Sequence, residues 1–205
     1  MMRMLLSAAL VGFTLQVPTT GDRADVRSVS AETPREVQIA IARAAGPAVS
    51  ADATIFILGR HGYEKALTGS NGFTCLVERP DLKTMAPQCF DAAGTASTVK
   101  VFLFREEERA KGVSDSEIKS AVAEGYRKGT FVAPARPGIV YMMSDYNYLP
   151  DPETRKTVHF PGHLMFYAPN LTAKEVGGGD GAPYLTDPGQ PDNLLVVIPA
   201  AYHPH

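Results

Sequence analysis

The order in which helical and strand-like segments succeed one another constrains this fold more than any other feature. Thr33-Pro34-Arg35-Glu36 offers a hydroxyl cap, a proline at the first helical position and a glutamate able to reach back. This is a helix start by its chemistry. Val37, Ala40, Ile41 and Ala44 then recur at helical spacing, and Gly46-Pro47 ends the run. Ser114-Asp115-Ser116-Glu117 opens a second helix, with Ile118, Ala121, Val122 and Tyr126 on one face and Gly129 as a left-handed stop. A shorter helix is expected within Val101 to Lys111, and Thr172-Ala173-Lys174-Glu175 opens a turn or two before the glycines from 177 onward. Five segments read as strands: Thr54 to Leu58, Phe73 to Val77, Gly138 to Ser144, His163 to Ala168 and Leu194 to Ile198. Helix, two strands, two helices, two strands, a helical turn and a last strand do not alternate as a doubly wound parallel sheet requires. The expected class is therefore α+β. About five strands form a single, mostly antiparallel sheet, with the helices of 34–45 and 114–128 packed on one face.

The N-terminus carries an address. A run of apolar character from Leu5 to Val17 follows Arg3, with Gly21, Ala24 and Ala31 as candidate ends. It is too short for a bilayer span, which takes roughly twenty residues, and fits a cleaved secretory signal. The expected organisation is a signal peptide over 1–24 with the cut between 17 and 31, one globular domain over 32–200, and a mobile tail over 201–205. No stable membrane span remains after processing, and the location is periplasmic or secreted.

Charge excludes some partners. The 22 acidic and 20 basic residues are interspersed, so neither a nucleic-acid stripe nor a polybasic membrane patch is present. Sixteen prolines and eighteen glycines imply many loops, while 44% apolar content supports a packed core. Cys75 and Cys89 are the only cysteines. In an exported chain they read as one disulfide closing a loop of about fifteen residues, worth on the order of 3 kcal/mol; the rival reading is a nucleophilic thiol paired with a histidine.

Chemistry is densest between Tyr141 and Tyr167. Side-chain alternation places Ile139, Tyr141 and Met143 on one face of a strand, and His163, Met165 and Tyr167 on one face of the next. The eighteen residues between, Asp145 to Gly162, hold Tyr146, Tyr148, Asp151, His159 and Phe160, and connections of that length often bind ligands. Tyr141, His163 and Tyr167 are the candidate ligand contacts. His159 and His163 are the candidate metal ligands, and with Met142, Met143 and Met165 nearby they suit copper or zinc. The competing reading makes the methionines and tyrosines ordinary core. Asp145, Asp151 and Glu153 offer a weaker carboxylate pair of the carbohydrate-processing kind. His61, the terminal His203 and His205, and the glycines from 177 to 181 are better explained as surface, tail and helix stop; no Gly-x-Ser-x-Gly elbow occurs.

Three stretches, Gly69-Ser70-Asn71-Gly72-Phe73-Thr74-Cys75-Leu76-Val77, Arg136-Pro137-Gly138-Ile139-Val140-Tyr141-Met142-Met143-Ser144, and His163-Leu164-Met165-Phe166-Tyr167-Ala168-Pro169-Asn170-Leu171-Thr172, resemble an uncharacterised family of exported bacterial proteins. The likeness covers roughly 35 to 200, with Pro161-Gly162-His163 standing where that family carries Pro-Pro-His. It implies a bacterial envelope or secreted location and transfers no catalytic residue. The leading functional expectation is a non-catalytic module that binds a small molecule or an envelope component. The alternative is a metal-binding protein or metal-dependent enzyme centred on His159 and His163.

Overall fold

The computed structural model describes residues 28–151, 153–154, 156–179 and 183–198. The apolar run, two of its three candidate cleavage points and the tail over 201–205 lie outside the described residues. The class is α+β. Helices α1 (Arg35–Ala44), α2 (Ala92–Ala96), α3 (Thr98–Ala110) and α4 (Asp115–Lys128) accompany ten strands. These are β1 (Thr54–Gly59), β2 (Gly62–Leu67), β3 (Thr74–Glu78), β4 (Ala86–Phe90), β5 (Ile139–Met142), β6 (Tyr148–Pro150), β7 (Thr157–His159), β8 (His163–Tyr167), β9 (Tyr184–Leu185) and β10 (Leu194–Val197).

All five expected strands are present, but the single five-stranded sheet is not. Eight strands form a mixed sheet in the order β2-β1-β3-β4-β5-β8-β10-β9, and β6 with β7 makes a separate hairpin. The pair β1/β3 is parallel; the other pairs in the large sheet are antiparallel. The strand the sequence hides best is β4. Ala-Pro-Gln-Cys-Phe has no β-branched residue, and Pro87 argues against a central strand. The proline is tolerated because β5 pairs with β4 only at Cys89 and Phe90, leaving the Pro87 edge without a second ladder. Cys75 and Cys89 thus face each other across adjacent strands and form a disulfide, with Cα atoms 4.0 Å apart.

Helices cover both faces, not one. Residues paired across antiparallel strands share a face, so Cys75, Cys89 and Tyr141 lie on one side, and Leu76, Phe90, Val140, Met165 and Val196 on the other. Ile41, Ala42 and Ala45, at the C-terminal end of α1, bury the first side with Ile55, Ile57, Val77 and Met85. Ala93 of α2 and Val99 and Phe102 of α3 bury the second, where the Phe90 and Phe102 rings sit 5.4 Å apart. α4 packs against α3 through Val101, Ile118 and Val122, forming an outer layer. The helix of 114–128, expected beside 34–45 on one face of the sheet, packs on α3 instead, and α2 with α3 covers the face opposite α1. Asp91 starts α2 by accepting from the amides of Ala93 and Gly94, both at 3.0 Å.

Local signals hold with one exception. Ser114 and Glu117 make the reciprocal cap, and Gly129 ends α4 at φ 75°. Thr172 and Glu175 do the same for a single 3-10 turn ending at Gly177. Thr33 does not cap α1: its hydroxyl accepts from the Ser30 amide, one turn upstream, and Pro34 occupies the cap position. Among the described residues no helix is long and apolar enough to cross a membrane.

Candidate functional site

On the α2/α3 side the helices leave the β5, β8 and β10 part of the sheet incompletely covered. The β6–β7 hairpin folds over it instead. It is held by backbone pairing of Met85 with Tyr148 and by the Phe160 amide donating to the Asn147 carbonyl at 2.8 Å. The buried Asn147 in turn donates to the Met142 carbonyl at 2.8 Å. Between sheet, α3 and hairpin lies a cavity of about 370 Å³. Its floor is Ala86, Met142, Met165, Leu194 and Val196, one wall is Val101 and Phe102, and the cover is Leu149 and Phe160. At the rim Val158 and Tyr184 are 38% and 59% exposed, so the space opens to solvent there. An apolar concavity with a few polar groups is the usual form of a small-molecule site.

The polar groups in its lining include side chains of β3, β4, α3 and β8 and of the loop between β9 and β10. Gln88 of β4 donates its Nε2 to the Glu78 carboxylate, while its Oε1 is buried without a partner. Thr98 of α3 likewise has a buried, unpartnered Oγ1. His163 of β8 is 2% exposed. Its Nδ1–H donates to the Pro161 carbonyl at 2.8 Å, which fixes the tautomer and leaves Nε2 as an acceptor. Burial holds this imidazole below its ordinary pKa, with the bond to Pro161 opposing. Arg105 links two carboxylates, Glu78 at 3.9 Å and Asp192 at 3.3 Å, and lies over the Phe102 ring at 5.4 Å. Burial pushes both of those carboxyls above their usual range, and Arg105 pulls the other way.

Of the residues singled out in the sequence, the structure brings Met142, Asp151, Phe160, His163 and Met165 into this lining and leaves Tyr141, His159 and Tyr167 elsewhere. Tyr141 points to the α1 side, its ring 6.1 Å from Phe73. The cause is strand alternation: Tyr141 pairs with Leu164, whereas its neighbour Met142 pairs with His163. Tyr167 shares the face of His163 but donates to Asp91 Oδ1 at 3.1 Å, away from the cavity. His159 is exposed on β7, with Nε2 3.1 Å from the Asp145 carbonyl oxygen and its ring 5.6 Å from that of Tyr148. Among the described residues no three His, Cys, Asp or Glu side chains gather closely enough to hold a metal ion. Asp151 shapes a turn, accepting from the Thr154 amide and hydroxyl at 2.6 and 2.7 Å, and those bonds lower its pKa.

Sequence reasoning missed Gln88, Thr98, Glu78 and Arg105. A signal for two of them was present: Thr98, Val101, Phe102 and Arg105 follow helical spacing on one face of α3. Gln88 was hidden with the strand that carries it. No family model, curated protein or solved structure matches this chain.

Proposed function

We propose that the chain is a non-catalytic binding module for a small, largely apolar molecule, which enters past Val158 and Tyr184 and lies against Met142, Met165 and Leu194. The observation that carries this reading is the 370 Å³ apolar cavity with Gln88 Oε1 and Thr98 Oγ1 buried and unpartnered in its lining. A buried polar atom left unpaired costs about 1–3 kcal/mol, and a ligand that bonds to it offsets that cost. The ionisable groups are engaged in structural contacts, His163 with Pro161 and Glu78 with Gln88 and Arg105, which favours binding over chemistry. His163 keeps the ligand-contact role expected of it; Tyr141 and Tyr167 become supports of the two sheet faces. Export to the periplasm or the medium is part of the same proposal. The Cys75–Cys89 disulfide fits an oxidising compartment, and the resemblance to exported bacterial proteins points the same way.

Calorimetric titration with 2-phenylethanol, a neutral molecule with an apolar ring and one hydroxyl, tests the reading. Saturable one-to-one binding is expected, lost in Ala86→Phe, whose added ring fills the floor. No saturable binding, or binding untouched by Ala86→Phe in a folded variant, contradicts it.

A further inference from the structure

The polar end of the cavity specifies a charge. Four carboxylates line it, those of Glu78, Asp151, Asp187 and Asp192, against one guanidinium, that of Arg105. Asp151 is occupied by its turn with Thr154. The others share one neighbourhood, since Arg105 reaches both Glu78 and Asp192, and Asp187 acts electrostatically on each. Arg109 also acts on Glu78, but its guanidinium is bonded to Glu106 and to Asp115. Arg79 lies on Glu106 as well. Asp187 is exposed to solvent, so Arg105 is the one guanidinium shared by the two partly buried carboxylates, Glu78 and Asp192, and the end of the cavity is short of positive charge.

An independent feature points in the same direction. Gln88 is 4% exposed, and its amide is oriented by the bond from Nε2 to Glu78, because a carboxylate oxygen accepts. The orphaned atom beside that carboxylate is therefore Oε1, an acceptor. His163 Nε2 is an acceptor too, by the tautomer that Pro161 selects. Gln88 Oε1 and His163 Nε2 both call for hydrogen-bond donors, and the unpartnered Thr98 hydroxyl can accept one as well as donate.

We propose that the ligand carries a protonated amine, seated between Glu78, Asp192 and Gln88 Oε1, with its apolar body along the methionine floor. This rests on the binding reading above and assigns the chemistry of its ligand. An ammonium group has three donors and no acceptor, which matches two carboxylates and an amide oxygen. It also supplies the positive charge that keeps partly buried carboxylates ionised.

Three isosteric probes at pH 7 test it by calorimetry: 2-phenylethylamine, 2-phenylethanol and phenylacetate. The amine is expected to bind about tenfold tighter than the alcohol, and the acid more weakly than either, since charge-assisted bonds are roughly twice as strong as neutral ones. Glu78→Gln and Asp192→Asn should each erase most of that preference, bringing the amine's affinity close to the alcohol's in the same variant. Alcohol binding with no preference for the amine, or a preference for phenylacetate, overturns the amine assignment and leaves the binding module standing. Binding of none of the three overturns both. The wild-type comparison decides the matter even if a variant fails to fold.

Discussion

Tyr167 donates its hydroxyl to Asp91 Oδ1 at 3.1 Å, joining the end of β8 to the residue that caps α2, 76 positions earlier in the chain. The same carboxylate accepts from the amides of Ala93, Gly94 and Ile139. One side chain thus fixes where α2 begins, where β5 begins and where β8 ends, and burial beside this carboxylate raises the Tyr167 pKa. Tyr167→Phe should cost about 1.5–3 kcal/mol of stability, the worth of a bond to a charged acceptor, and leave 2-phenylethanol affinity unchanged. Chemical denaturation and calorimetry on the same variant check both halves.

Gly94 carries the same relationship from the other side. A Cβ built there would lie 2.0 Å from the Tyr167 hydroxyl and 3.0 Å from a Phe90 ring carbon. Gly94→Ala should therefore destabilise by more than Tyr167→Phe, although alanine is the better helix former. Combining the two changes should relieve part of the clash, so their effects add to less than their sum in a double-mutant cycle.

Glu106 is 3% exposed and bonded to both Arg79 and Arg109. Replacing it with glutamine leaves two guanidinium groups partly buried without their shared anion. A loss of about 3–5 kcal/mol is expected, as for other broken buried ion pairs. A fall in denaturation midpoint smaller than that of Tyr167→Phe would show that solvent reaches the two arginines.

Stability should depend on His163 with a definite sign. Burial lowers its pKa from 6.5 in the folded chain. Below pH 6.5 the unfolded chain takes up a proton here that the folded chain resists, so unfolding gains protons. The contribution is intact above 6.5 and is lost as the pH falls from there toward the folded value, at no more than roughly 1.4 kcal/mol per pH unit. Glu78 and Asp192, whose pKa values are raised, act oppositely in a lower window that begins at their ordinary values. Comparing the wild type with His163→Phe cancels them. Wild-type stability should fall relative to the variant between pH 7 and 5, and parallel curves would contradict the account.

The disulfide ties β3 to β4 across the sheet. Changing Cys75 and Cys89 together to alanine should lower stability by about 2–4 kcal/mol, mostly through the unfolded chain. The cavity should survive, because both cysteines face α1, on the opposite side of the sheet.

What the sequence made readable was local. Ser114 with Glu117, Gly129, and the β-branched or aromatic strands announced themselves because their signals lie within a few residues. The site was not of that kind. Whether Tyr141 or Met142 faces His163 depends on strand register, which is set by partners far away in the chain. Gln88 sits in a strand disguised by Pro87, and Asp91 caps a helix of only five residues, one of them glycine, too short to show a helical period. His163 was found because a histidine among apolar strand residues stands out, while Glu78 and Arg105 meet only after β3 and α3 pack on one another.

The most direct measurement is a titration of 2-phenylethylamine into the protein followed by methyl resonances. The account predicts that Met142, Met165, Leu194 and Val196 shift together, saturating at one equivalent, while Ile41, Ile55 and Val77 on the α1 side stay in place. Unmoved floor methyls, or shifts confined to the α1 side, would contradict it.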